Sequence, residues 1–154
     1  MTAAMGFTLA ADTFLLLLDT AYAAGVALFC AVQALYFVRI YRLNGHRAAL
    51  PARLALYLAA VAALWMPDML SPLNLLAALY FTIFVCNAAQ SLSVKNALFS
   101  VGLILFLGCD ICVGVHNAPE LFPAGLGSFA DIGMWLFYLP SQVLITLSGM
   151  KADA

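Results

Sequence analysis

The sequence predicts an all-α membrane protein of six transmembrane helices with both termini cytoplasmic. Three observations predict it. First, of 154 residues 66% are hydrophobic and 8% charged, and the mean hydropathy is +1.07. A soluble domain carries about 25% charged residues, and a small one leaves much of its surface in water. Lipid must therefore solvate most of this chain. Second, six apolar stretches approach the roughly 20 residues that a membrane helix needs. Third, the charges sort by loop. The net charge of −1 says nothing of nucleic acid, but no Lys/Arg cluster looks like a phosphate-binding patch, so no nucleic-acid partner is expected.

The helices are expected at about 3–18, 20–41, 51–67, 72–91, 97–116 and 129–148, in one transmembrane domain spanning 1–154. Asp19-Thr20 makes the first turn. Asn44-Gly45-His46-Arg47, closed by Pro51, is a polar loop. Pro67-Asp68 and Ser71-Pro72 bracket the third turn, and 91–96 is the fourth loop. The longest loop, 117–128, holds Pro119, Pro123, Gly125 and Gly127, all turn formers. Six helices place Arg39, Arg42, Arg47, Arg53, Lys95 and Lys151 on one side. Asp19, Asp68, Glu120 and Asp131 fall on the other. Basic loops stay cytoplasmic, which sets the orientation. The N-terminus does not read as a cleaved signal peptide, because it has no basic region and acids interrupt its apolar run. Cys30, Cys86, Cys109 and Cys112 all lie in apolar segments, so a disulfide framework is not expected.

Asp12 and Asp110 stand inside apolar helices. A carboxylate there is costly, by about 3 kcal/mol on insertion scales. Helices one and five both run outward, and each acid lies on the order of 10 Å below the outer boundary at 1.5 Å per residue. Two acids at one depth could face each other. Gln33 and Tyr36 share a helix face, as do Tyr138 and Gln142. Asn87 and Gln90 complete the polar groups within the apolar helices, and interhelical hydrogen bonding is their simplest role. Cys109, Cys112 and His116 share a face, but a second ligand pair is missing, so no metal is expected. His116, Asn117, Asp68 and Asp131 gather at the outer boundary. Trp65 and Trp135 read as interface or packing aromatics. Ala27-x-x-x-Ala31 and Gly108-x-x-x-Cys112 read as close helix contacts. Arg39, Arg42, Arg47 and Arg53 read as topology anchors able to contact anionic lipid.

Four segments carry a family resemblance. FTLAADTFLLL resembles the F-S-x-x-G-D-x-x-L motif of the lysoplasmalogenase-like (YhhN) membrane family. GVALFCAVQALYFVRIY is similar to its helix with F-x-x-x-H-x-x-Y. VGLILFLGCDICVGVHN resembles G-x-x-x-F-x-x-S-D-x-x-x-A, and FYLPSQVLITLSG the closing Y-x-x-Q-x-L-I-x-x-S helix. The matches keep the family's order and span nearly the whole chain. The resemblance implies a polytopic hydrolase of the lysoplasmalogen vinyl ether that releases a fatty aldehyde and a glycerophospho-amine. It puts the family's aspartates on Asp12 and Asp110, and its tyrosine and glutamine on Tyr138 and Gln142. Gln33 replaces the usual histidine, and Cys109 the serine before the second aspartate. Family members usually have eight helices, so this chain reads as shortened by an N-terminal hairpin.

The implied chemistry suits two carboxyls. Protonation at carbon gives an oxocarbenium ion, water adds, and the hemiacetal collapses. Low dielectric and like charge keep at least one acid of a close pair protonated, as glycosidases exploit against a similar cation. Asp12 and Asp110 are the expected catalytic residues, with acid and base unassigned. Gln33, Tyr36, Tyr138, Gln142 and His116 are the expected substrate-binding residues, with no cofactor. Expected partners are the lysophospholipid substrate and membrane lipids, and a homo-oligomer stays open. The expected location is a bacterial inner membrane. No Ser-His-Asp order, phosphate loop or dinucleotide fingerprint appears. Two other readings remain: a proton-coupled transporter, and an inactive relative that binds lipid or a partner.

Overall fold

A computed structural model describes residues 2–18, 21–45, 48–118, 122–123 and 125–150. Asp19, Thr20, His46, Arg47, Pro119, Glu120 and Lys151, to which the sequence assigns turns and topology, lie outside the described residues. The described residues form α1 (Thr2–Asp12), a π-helical segment (Thr13–Leu17), α2 (Tyr22–Leu43), α3 (Leu50–Trp65), α4 (Pro72–Ser91), α5 (Ala97–Asn117) and α6 (Gly125–Met150). They contain no strand. Two compact units result, Met1–Gln90 and Ser91–Ala154.

Helix boundaries follow the turn residues. Pro51 occupies the first turn of α3, where its missing N–H is harmless. Asn96 caps α5 by accepting from the Phe99 N–H at 3.1 Å. Two helices depart from expectation. α6 starts at Gly125 rather than near 129, because the Leu126 N–H bonds the Pro123 carbonyl at 2.9 Å and opens the first turn early. The first helix is not uniform: it is α-helical to Asp12 and π-helical after it. There the Leu18 N–H reaches back five residues to the Thr13 carbonyl at 3.0 Å. The widened turn seats Leu15 over Gly25 of α2, where an added Cβ would meet Leu15 Cγ at 2.5 Å. Gly25 thus makes room for the irregular turn.

Large apolar side chains are exposed along every helix, among them Leu9, Val38, Leu54, Leu79, Ile104 and Leu136. Such a surface suits hydrocarbon rather than water, as in a membrane helical protein. Among the described residues, α2, α4, α5 and α6 are long and apolar enough to cross a membrane. α3 has 16 residues, about 24 Å of helix, against a hydrocarbon core of about 30 Å. None of its residues is fully buried.

In the first unit, α2 and α4 contribute buried Val32, Tyr36, Ile40, Phe84 and Ala88. Phe29, Tyr80 and Phe84 stack in sequence with ring centroids 5.8 Å apart. In the second unit α5 and α6 pack through small residues. Gly102 lies under Ile145, and a Cβ there would sit 2.7 Å from Ile145 Cγ1, 3.1 Å from its backbone N and 3.2 Å from the Ser141 carbonyl oxygen. Gly133 lies under Cys112, with 2.7 Å between Sγ and an added Cβ. Gly108 and Cys112, expected at a helix contact, both face α6, against Phe137 and Gly133 respectively.

The Gly102 contact includes backbone atoms of Ile145 and Ser141 as well as the Ile145 side chain, and backbone cannot yield as a side-chain tip can. Gly102→Ala should therefore destabilise the protein by about 1–3 kcal/mol, although alanine is the better helix former. Gly114→Ala, in the same helix with nothing within 4 Å of the added Cβ, should leave stability unchanged or slightly raised. Thermal unfolding in detergent distinguishes them. Equal stability of the two variants would contradict this packing.

Candidate functional site

In the first unit, Asp12 is the last residue of α1 and is half-buried. Thr8, one turn earlier on the same face, is buried and donates to the Ala4 carbonyl at 3.0 Å. The Tyr36 side chain of α2 meets the Thr8 side chain, and Tyr36 is fully buried. α1 and α2 run antiparallel through the Thr8–Tyr36 and Leu15–Gly25 contacts. Asp12 is one turn beyond Thr8 on α1, and Gln33 about one turn before Tyr36 on α2. The two polar residues therefore flank the Thr8–Tyr36 contact on its same side.

Gln33 is fully buried, as is Asn87 of α4. Asn87 Nδ2 donates to the Gln33 backbone carbonyl and to its Oε1, both at 2.9 Å. Arg53 Nη2 donates to Asn87 Oδ1 at 2.9 Å and to Gln90 Oε1 at 2.7 Å. Its Nη1 and Nε reach the Ile83 and Ala48 carbonyls at 3.4 and 3.1 Å. The guanidinium also lies 4.6 Å from the centre of the Phe37 ring, within cation–π range. Arg53, expected to act as a boundary anchor, instead turns its head inward and ties α3 to α4. The reason is chemical: two amide oxygens one turn apart on α4 offer acceptors that hydrocarbon lacks. Gln33 Nε2 is buried and has no hydrogen-bond partner.

In the second unit, Asp110 is half-buried within α5, between buried Cys109 and Cys112. Phe106, one turn before Asp110, meets the Tyr138 ring edge-on with centroids 5.9 Å apart. The Gln142 side chain has both Nε2 and Oε1 buried without a partner. Buried amides without partners are rare in proteins, so this one calls for a polar ligand or water. His116 Nδ1 lies 2.7 Å from Asp131 Oδ1, linking the end of α5 to the start of α6. Both side chains are more than half exposed, at 53% and 58%, so the pair adds little stability. Asn117 bonds its own helix, at the Val113 carbonyl. Asp68 belongs to the first unit and is exposed.

The expected catalytic residues thus fall one in each unit, Asp12 in the first and Asp110 in the second. Gln33 and Tyr36 accompany Asp12; Tyr138, Gln142 and His116 accompany Asp110. Among the described residues no three His, Cys, Asp or Glu side chains are placed to share a metal ion. A hollow of about 540 Å³ between α3 and α4 is lined by Leu50, Leu54, Tyr57, Leu79 and Ile83, and it holds none of the expected site residues. Sequence reasoning missed Thr8 and the inward turn of Arg53. The signal for the latter was available: Asn87 and Gln90 at i, i+3 display acceptors on one face, and Arg53 follows Pro51 into a helix.

No curated relative and no solved structure matches the chain. A family model does, over residues 1–149. Nearly the whole chain, from before Asp12 to the end of the helix that carries Gln142, is covered by that match, and the protein belongs to the YhhN family.

Proposed function

We propose that this protein is a membrane hydrolase that cleaves the vinyl ether bond of lysoplasmalogen-type lysophospholipids, with Asp12 and Asp110 as its acid and base. Family membership supports the reading, since the four motif resemblances imply that chemistry. The observation that carries it is the break in helix geometry at Asp12. α1 is regular up to this carboxylate and π-helical directly after it. π-helical turns recur at functional sites, and an acid within an apolar helix is functional by default. The partnerless buried amide of Gln142 adds a group that a polar ligand would satisfy.

The reaction divides between the two carboxyls. The protonated one gives its proton to the vinyl carbon, leaving an oxocarbenium ion. The ionised one stabilises that cation and takes a proton from the water that attacks it. The resulting hemiacetal collapses to a fatty aldehyde and the glycerol hydroxyl of the product. No oxidant, metal or cofactor enters the balance.

In this reading all six helices traverse the bilayer, the α1–π segment and α3 where it is thinned, since shorter helices are accommodated at modest cost. Both termini are cytoplasmic. Asp68 then faces outward and Gly45 inward. A membrane-impermeant thiol reagent added to intact cells should label Asp68→Cys and spare Gly45→Cys, and inside-out vesicles should reverse the pattern. The opposite labelling would invert the topology.

Purified protein should release aldehyde from a 1-alkenyl lysophospholipid. General acid–base contributions run from about 10² to 10⁴. Asp12→Asn and Asp110→Asn should each lower the rate by about a hundredfold or more, with unchanged thermal unfolding. Absence of aldehyde from the unsubstituted protein, or full activity in either variant, would overturn the assignment.

A further inference from the structure

The polar chain Arg53–Asn87–Gln33 has a direction. A guanidinium has five N–H donors and no acceptor. The group of Asn87 that meets Arg53 Nη2 must therefore be its oxygen, as the 2.9 Å contact to Oδ1 records. That orientation turns Asn87 Nδ2 toward Gln33. The group of Gln33 that meets Nδ2 must in turn be an oxygen, as the 2.9 Å contact to Oε1 records. What remains of Gln33 is its NH2, fully buried and without a partner. The polarity of one arginine thus passes through two amides and emerges as a pair of N–H donors inside the first unit.

Charge points the same way. Arg53 is bound only to neutral oxygens, those of Ile83, Ala48, Asn87 and Gln90. Among the described residues its guanidinium forms no salt bridge; the single ion pair there joins His116 and Asp131. Hydrogen bonds in such chains polarise one another, more so in low dielectric. The far end of this chain therefore favours an acceptor that carries negative charge.

We propose that Gln33 Nε2 binds a phosphate oxygen of the lysophospholipid, with Arg53 and Asn87 as the positioning residues that keep its donors facing the ligand. This rests on the proposed substrate class and deepens it. The placement is compatible. Asp12 and Gln33 lie on the same side of the Thr8–Tyr36 contact, each about one turn from it, and so at nearly the same level of the antiparallel pair α1 and α2. The vinyl ether would lie at Asp12 and the phosphate at Gln33.

The test is a binding measurement in detergent on the full chain, with acyl lipids that contain no vinyl ether, so that hydrolysis does not enter. The probes are an acyl lysophosphatidylethanolamine and the monoacylglycerol of the same chain length, which lacks the phosphate. The unsubstituted protein should prefer the phosphate-bearing lipid by about tenfold or more, the scale of one hydrogen bond to a charged group. Asn87→Asp is the informative variant. It keeps the size of the side chain and still accepts from Arg53. Its second oxygen also accepts, which turns the Gln33 amide over and presents Oε1 to the ligand. This variant gives up the bond from Nδ2 to the residue 33 carbonyl and should stay folded yet lose the preference, while binding monoacylglycerol within about twofold of normal. Gln33→Met, which removes the donors but leaves the residue 33 carbonyl for Asn87, should do the same. A preference that survives in Asn87→Asp would overturn the proposal, as would affinity for both lipids falling together. So would equal binding of the two lipids by the unsubstituted protein, which is the result if only water occupies the donors. If the preference behaves as expected but no aldehyde is ever released from a vinyl ether, the phosphate site stands and the hydrolase reading falls.

Discussion

The hydrogen bonds from Arg53 to Asn87 and Gln90 are the interaction on which the first unit depends. α3 has no fully buried residue, and apolar contact between helices drives little association when lipid is as apolar as leucine. The guanidinium supplies the tie that burial does not. In hydrocarbon a polar group must find its partners within the protein. Arg53 finds four oxygens, three of them on α4. The same requirement then propagates. Asn87 is buried because Arg53 and Gln33 satisfy both ends of its amide, and Gln33 is buried because Asn87 satisfies one end of its own.

The second unit solves the same problem without that device. α5 and α6 approach through Gly102 and Gly133, where the absence of a Cβ lets Ile145 and Cys112 of the facing helix pack closely. Its polar residues are placed differently as a result. Ser141 and Ser148 return their hydroxyls to nearby carbonyls of their own helix. The Gln142 amide has no such local outlet, being too long to fold back as serine does. It is left partnerless at a position that the family resemblance matches to a motif glutamine. Close packing thus leaves few places for a polar group to hide, which makes the exception informative.

Much of the fold was legible in the sequence because helix ends in a membrane chain coincide with turn chemistry. Proline, glycine, asparagine and charge cluster where the apolar runs stop, and α2, α4 and α5 begin and end within a few residues of expectation. Pairing along a helix was equally legible: Gln33 and Tyr36 share a buried face because i and i+3 must. What was hidden depends on contacts between helices. Nothing local announces a π-helical turn after Asp12, since Thr13, Phe14 and Leu15 are ordinary helix residues. The turn forms against Gly25, ten residues beyond Leu15. Arg53 was misread for a related reason. An arginine near a helix start reads as a boundary anchor until the oxygens of α4, some thirty residues away, are known to face it.

The π-helical turn also bears on why an acid can be kept at position 12. A side chain on a regular helix is fixed by the face it occupies, and Asp12 shares its face with Thr8 and hence with the Tyr36 contact. Beyond Asp12 the face turned to α2 becomes apolar, since Leu15 meets Gly25 there as Thr8 meets Tyr36. The polar part of that face ends at the carboxylate. Two demands are met at once. The end of the segment beyond Asp12 can stay apolar, as hydrocarbon requires. The half-buried carboxylate stays about one turn from the Thr8–Tyr36 contact, on the side where Gln33 lies on α2. A bulky residue in place of Gly25 would set these demands against each other, because Leu15 would have to move and the α-to-π transition below it would lose its support.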